Sequence, residues 1–201
     1  GAILCLDRAG LVGADGDTHQ GIYDIAYLRP LPRTVLMAPR DGTRLREMLE
    51  LAAKSPSICV LRYPREAVPK DMDAAEPCEL KLGTAEVLRR GKKLAILAYG
   101  ALVPEALRAG EETGATVVDA RFAKPLDGEL LAELIADHKR VLVAEDGAAV
   151  GGLGSACLEE CAARGLDSGG LRFAAVPVEE EIGPASRSQL MSRFRLDAAG
   201  L

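Results

Sequence analysis

Fifteen residues, Asp7 to Gly21, read Asp-Arg-Ala-Gly-Leu-Val-Gly-Ala-Asp-Gly-Asp-Thr-His-Gln-Gly, a run too polar and too rich in glycine to be a packing segment. The stretch directly follows the apolar run Ala2 to Leu6, which has the length and composition of a buried strand. In an open α/β sheet the loop beyond a strand's carboxyl end is where ligands bind, and glycines let the backbone turn sharply or approach a ligand closely. Thr18 stands where it can cap a following helix with Ile22, Ile25 and Ala26 turned inward. That would leave His19 in the first helical turn, where the dipole disfavours protonated imidazole. Two readings of His19 stay open: a neutral, hydrogen-bonding group at the mouth of a cleft, or a turn histidine satisfied by backbone. Asp15 and Asp17 likewise suit either a ligand loop or plain turns. A calcium loop does not fit, because the EF-hand spacing and its terminal Glu are missing.

Arginines add a geometric argument. Arg8 follows the first apolar run, Arg40 the second, Thr34 to Ala38, and Arg65 the third, Ile58 to Leu61. If these runs are parallel strands, all three arginines emerge at one sheet edge and form a cationic cluster suited to phosphate or carboxylate. Elsewhere the signals are weaker. Gly151-Gly152-Leu153-Gly154-Ser155 is neither a dinucleotide fingerprint nor a P-loop, and it reads better as close strand-to-helix packing. His138 lies at an expected helix end and reads as a dipole partner. Cys5, Cys59 and Cys157 sit inside apolar runs where cysteine behaves as a small hydrophobe, and only Cys157 and Cys161 share a helical face, with no histidine or carboxylate arranged around them; the reading is small core residues in a reducing compartment.

The elements that must position these groups alternate between short apolar runs and helix-period segments, the pattern of an α/β protein with mainly parallel sheets. Asp41 caps a helix carrying Leu45, Met48, Leu49 and Ala52. A second set of strands is expected at 94–98, 116–119, 140–144 and 171–176, with helices near 104–113, 128–136 and 154–163. Two doubly wound units follow. Between them, 66–78 carries Pro69, Pro77 and several acids with little apolar content, an interdomain linker. The expected division is 1–77 and 78–201. Three strands with one full crossover helix are too few to cover a buried parallel sheet, and Gly1 runs straight into apolar sequence, so the chain reads as a fragment lacking an upstream part.

Composition narrows the function classes. The 201 residues are 48% hydrophobic and 27% charged, with a formal net charge of −5. Three Phe, four Tyr and no Trp leave few stacking platforms, and the acidic balance argues against a phosphate-coating nucleic-acid binder. No apolar run approaches the roughly 18 residues of a membrane span. The expectation is a cytoplasmic protein with no membrane and no nucleic-acid partner.

The Asp7–Gly21 run with Tyr23-Asp24, the Met-Ala-Pro-Arg-Asp segment at 37–41 and Arg-Tyr-Pro-Arg at 62–65 resemble the 1-deoxy-D-xylulose-5-phosphate synthase family in order and spacing. So do Asp119 to Asp127, Gly151 to Ser155 and Leu196 to Gly200, so the resemblance covers essentially the whole chain. It implies a partial transketolase pyrimidine-binding domain followed by a transketolase C-terminal domain. It also implies a thiamine-diphosphate enzyme, magnesium-dependent and homodimeric. Such an enzyme decarboxylates pyruvate and joins the two-carbon unit to glyceraldehyde 3-phosphate, supplying isoprenoid, thiamine and pyridoxal precursors. By that pattern Arg8 and Arg65 would hold the aldehyde's phosphate, and Asp15 and His19 would face its carbonyl and hydroxyl, with His19 the catalytic group. The family's main residues for thiamine diphosphate and magnesium lie upstream, so this chain would be inactive alone. Two alternatives are the non-catalytic half of a split transketolase-like enzyme and a module that binds phosphorylated metabolites. Glu66 stands where the family has Gly and adds a carboxylate beside the phosphate clamp, and Pro177 to Pro184 lacks the family's Asp-plus-aromatic segment.

Overall fold

A computed structural model describes residues 1–13, 15–68, 80–178 and 182–201. The linker expected over 66–78 and the boundary at 77 fall largely outside the described residues. Nine strands and six α-helices occur among them: β1 (Ala2–Leu6), α1 (Asp24–Leu28), β2 (Thr34–Met37), α2 (Gly42–Lys54), β3 (Ile58–Arg62), β4 (Glu86–Arg89), β5 (Leu94–Ala98), α3 (Val103–Thr113), β6 (Thr116–Asp119), β7 (Phe122–Lys124), α4 (Gly128–Asp137), β8 (Arg140–Ala148), α5 (Leu153–Arg164), β9 (Leu171–Val176) and α6 (Arg187–Arg193).

Two mainly parallel sheets result, as the alternation of apolar runs and helical periods predicts. The first has the order β1-β3-β2-β7 and the second β4-β6-β5-β8-β9. Among the described strands only β7 on β2 and β4 on β6 run antiparallel. Asp41 caps α2 as expected, its carboxylate accepting from Arg44 N at 2.7 Å, and Met48 and Ala52 face inward while Leu49 is turned to solvent.

The units are less separate than their sequence pattern suggests. β7 belongs by sequence to the second unit yet pairs with β2 of the first, Leu36 opposite Lys124 and Met37 opposite Phe122. Phe122 is fully buried among Val35, Met37, Met48 and Leu61. A larger core runs through both sheets, joining Leu36 and Val60 to Leu97, Tyr99 and Val118. A third cluster packs α3 and α6 on the second sheet and includes Leu11 and Ile22 from the Asp7–Gly21 segment. By contrast β1 is exposed along nearly its whole length, with Ile3 and Leu4 each 42% accessible.

Three elements escape the sequence pattern for local reasons. β4 is a short, half-polar edge strand, and β7 is only three residues long. α6 follows a proline-rich stretch, although Ser186 and Gln189 form a reciprocal capping box that its Ser-x-x-Gln spacing announces.

Candidate functional site

The Asp7–Gly21 segment is held by its own polar groups before any ligand arrives. Gly10 and Gly21 exchange backbone hydrogen bonds at 3.1 and 2.9 Å, which closes the loop. The Gln20 side-chain amide fills its interior, accepting from Val12 N at 2.7 Å and donating to Val12 O at 2.7 Å and Gly16 O at 2.8 Å. Gly10 has φ +69°, and a Cβ there would lie 2.1 Å from the Asp146 carboxylate. Glycine is required on both counts.

This closure corrects the expected helix cap. Thr18 and His19 belong to a separate 3₁₀ turn, Asp17–His19, and α1 begins at Asp24 with no side-chain cap. His19 therefore sits at the end of a short turn rather than in the first turn of a helix, and the dipole argument for its neutrality does not apply. Its ring Nδ1 lies 3.0 Å from Thr18 Oγ1, and the side chain is open to solvent.

Arg8, Asp15 and Arg65 come together at the carboxyl edge of the first sheet. Arg8, in the left-handed region at φ +58°, donates from Nε to Asp15 Oδ2 at 2.7 Å, and Arg65 pairs with the other carboxylate oxygen. One carboxylate thus bridges two guanidiniums, which remain 37% and 50% exposed. The Arg8 hydrogen bond, with help from Arg65 and His19, holds the Asp15 carboxyl below the usual carboxylate range. Arg65 also lines a groove of about 590 Å³ whose walls include Asp7, Tyr63 and the first turn of α2.

Arg40 does not join them. Its guanidinium is turned inward and only 4% exposed, bound to Asp119 at 2.7 Å, Glu86 at 2.6 Å and Asp41 at 3.2 Å. Burial pushes the Asp119 carboxyl upward and Arg40 opposes it. The third arginine of the expected cluster is therefore a joint between the two units: it borders the same groove as Arg65, but its guanidinium is taken up by these carboxylates, and Arg8 and Arg65 alone share Asp15.

A second buried joint was not visible in the sequence. Arg62, 2% exposed, donates to Gly21 O at 3.1 Å and Asp24 at 3.4 Å, lies 3.9 Å from Asp146, and stands 5.8 Å from the centre of the Tyr99 ring. Arg187 of α6 reaches Leu11 O at 2.7 Å and Asp146 at 3.1 Å. Its Nε is also 3.3 Å from Glu66, so the carboxylate next to Arg65 has a cationic partner. No short-range pattern marks Asp146 or Arg187, because both act on residues more than forty positions away in the chain.

The glycines at 151–154 serve packing, as expected. A Cβ at Gly152 would meet Glu145 at 2.3 Å, and one at Gly154 would meet the Phe173 ring at 2.7 Å. Glu145 accepts from Gly154 N at 2.9 Å and so fills the amino end of α5 with a carboxylate that burial pushes upward. His138 caps α4, bonded to Leu134 O at 3.0 Å and Thr116 Oγ1 at 2.8 Å. Cys157 and Cys161 are buried, and burial pushes both thiols upward. Among the described residues no three His, Cys, Asp or Glu converge to hold a metal. None of the helices described is long and apolar enough to cross a membrane.

Comparison with known proteins matches residues 1–70 to the transketolase pyrimidine-binding domain and residues 83–201 to the transketolase C-terminal domain. The chain is 40% identical to a 1-deoxy-D-xylulose-5-phosphate synthase of Burkholderia ambifaria, over 99% of this chain and 31% of the relative. To the synthase of Chromobacterium violaceum it is 41% identical, over 99% of this chain and 32% of the relative. It spans about a third of the length of these curated relatives. Among solved structures, one described as a split gene transketolase, an inactive beta4 tetramer, superposes with a TM-score of 0.84 at 29% identity, covering 98% of this chain and 63% of that one. A Campylobacter jejuni transketolase superposes at 0.73 with 17% identity, covering 98% and 30%, a likeness of fold.

Proposed function

The chain belongs to the transketolase family, and we propose that it is the C-terminal part of a 1-deoxy-D-xylulose-5-phosphate synthase. The complete enzyme condenses glyceraldehyde 3-phosphate with the two-carbon unit left when pyruvate is decarboxylated, in the cytoplasm and as a homodimer. Thiamine diphosphate with magnesium supplies the carbanion chemistry when bound, and the reading assigns its binding to the upstream part. What this chain contributes is capture of the phosphorylated aldehyde.

The observation that carries the reading is the pair Arg8 and Arg65 on a single carboxylate. A phosphate entering from solvent presents the same kind of oxygen acceptors as Asp15 and binds the two half-exposed guanidiniums without new backbone geometry. Asp15, released from them, and His19 beside it are left to face the carbonyl and hydroxyl of the aldehyde. In the complete enzyme, Arg65→Ala is expected to raise the glyceraldehyde 3-phosphate concentration needed for half-maximal rate by about 10- to 100-fold, leaving that for pyruvate unchanged. Equal losses for both substrates would overturn the assignment. The isolated chain is expected to show no turnover, and micromolar binding of thiamine diphosphate with magnesium in a calorimeter would contradict that.

A second reading, that the chain is the natural half of a split enzyme, is favoured by its likeness to the split gene transketolase at a TM-score of 0.84. Intact mass of the native protein beside its reading frame separates the two.

A further inference from the structure

The two walls of the clamp belong to different loops, and one side chain from the far end of the chain reaches both. Arg187 lies at the start of α6, is 10% exposed, and is held in place by Asp146 at 3.1 Å. Toward the first loop its Nη1 donates to Leu11 O at 2.7 Å, three residues beyond Arg8. Toward the third loop its Nε stands 3.3 Å from Glu66, the residue after Arg65. Leu11 itself is fully buried in the cluster under α6, alongside Leu190 and Met191. The loops also touch directly, through Ala9 N to Tyr63 O at 3.0 Å, but that bond lies at the base of the clamp.

We infer that Arg187 is a positioning residue for the phosphate clamp, tying the Arg8 loop and the Arg65 loop to the second unit so that both guanidiniums keep one spacing with or without Asp15 between them. This rests on the aldehyde-phosphate reading of Arg8 and Arg65. It also gives Glu66 a role. An extra carboxylate next to a phosphate clamp lowers anion affinity if left free, whereas paired to Arg187 it becomes the anchor of the third loop. A planar fork with several donors suits a group that must serve Leu11, Asp146 and Glu66 together.

Two measurements test this. In the chain itself, Arg187→Gln is expected to speed hydrogen exchange at the Ala9 and Gly10 amides by about tenfold while β5 amides stay unchanged, since a hydrogen bond to a charged group is lost. In the complete enzyme the same variant is expected to raise the KM for glyceraldehyde 3-phosphate by about tenfold, with kcat within about twofold and the pyruvate KM unchanged. Arg187→Lys, which keeps the charge, should recover part of both effects. Glu66→Gln, at a half-exposed position that tolerates change, tests the third-loop arm and should raise the same KM by about threefold even if Arg187→Gln fails to fold. Unchanged exchange at Ala9 and Gly10, or equal KM rises for both substrates, overturns the positioning role. If Arg65→Ala leaves aldehyde-phosphate kinetics untouched, the functional reading itself fails, whatever the exchange data give.

Discussion

Arg40 and Arg65 both follow a parallel strand of the first sheet, yet one is a buried joint between the two units and the other a half-exposed partner of Asp15. Arg40 meets Asp119 and Glu86, brought in by β6 and β4 of the second unit, and is closed off from water. Among the described residues Arg65 pairs with Asp15, from its own unit, and half of it stays wet. Position at a strand end therefore does not decide whether an arginine is available to a ligand. What decides it is whether another part of the chain delivers carboxylates to the same place, and whether the pair is then buried.

The contrast can be broken most severely at Arg40. Arg40→Ala leaves the fully buried Asp119 without its main counter-charge and is expected to cost about 3–5 kcal/mol in urea unfolding; a loss below about 1 kcal/mol would mean that the cluster is not a joint. Phe122→Ala tests the same union from its apolar side and should cost about 3 kcal/mol or more, because β7 carries that ring into the core of the first unit. Gly10→Ala should cost about 1–3 kcal/mol, combining a left-handed backbone with a clash against Asp146, and its effect should centre on the Asp7–Gly21 loop in hydrogen exchange. At the other extreme, Arg65→Ala is expected to leave the urea midpoint unmoved while weakening phosphate capture, which sharpens the division between joint and clamp.

The smallest effect concerns protons. Arg8 lowers the folded-state pKa of Asp15, so this pair contributes stability that is present above the ordinary carboxyl value of about 3.9 and is lost as pH falls through the lowered one. A carbon-detected carboxyl titration should place Asp15 below that ordinary value, and Arg8→Gln should move its midpoint up. A midpoint unmoved by the substitution would show that the clasp does not persist in solution.

Much of the fold was legible in the sequence because parallel strands are short, apolar and bounded by turn residues. β1, β5, β6 and β9 fall on the expected residues for that reason, although β1, read as buried, lies exposed. β7 was not legible, since three residues in a loop-like segment become a strand only when β2 offers its edge. At the site, Arg8, Asp15 and Arg65 could be proposed together from spacing and family resemblance, and the structure brings these three side chains together. Inversion of Arg40 could not be anticipated, because it depends on Asp119 and Glu86 arriving from remote elements. Arg187 escaped notice for the same reason, whereas the Gln20 amide bracing its own loop was near enough in sequence to have been considered.

The pairing of β7 with β2 also bears on how the protein is made. A nascent chain emerging from the ribosome presents β1, β2 and β3 well before Phe122 to Lys124 become available, and until then β2 has an open edge and the ring that fills its core is absent. The first sheet therefore waits, incompletely paired, for more than fifty residues of further synthesis after β3. During that interval the β2 edge that β7 later covers stays open, and a pause in translation just before Phe122 is expected to favour misassembly more than a pause at a later codon.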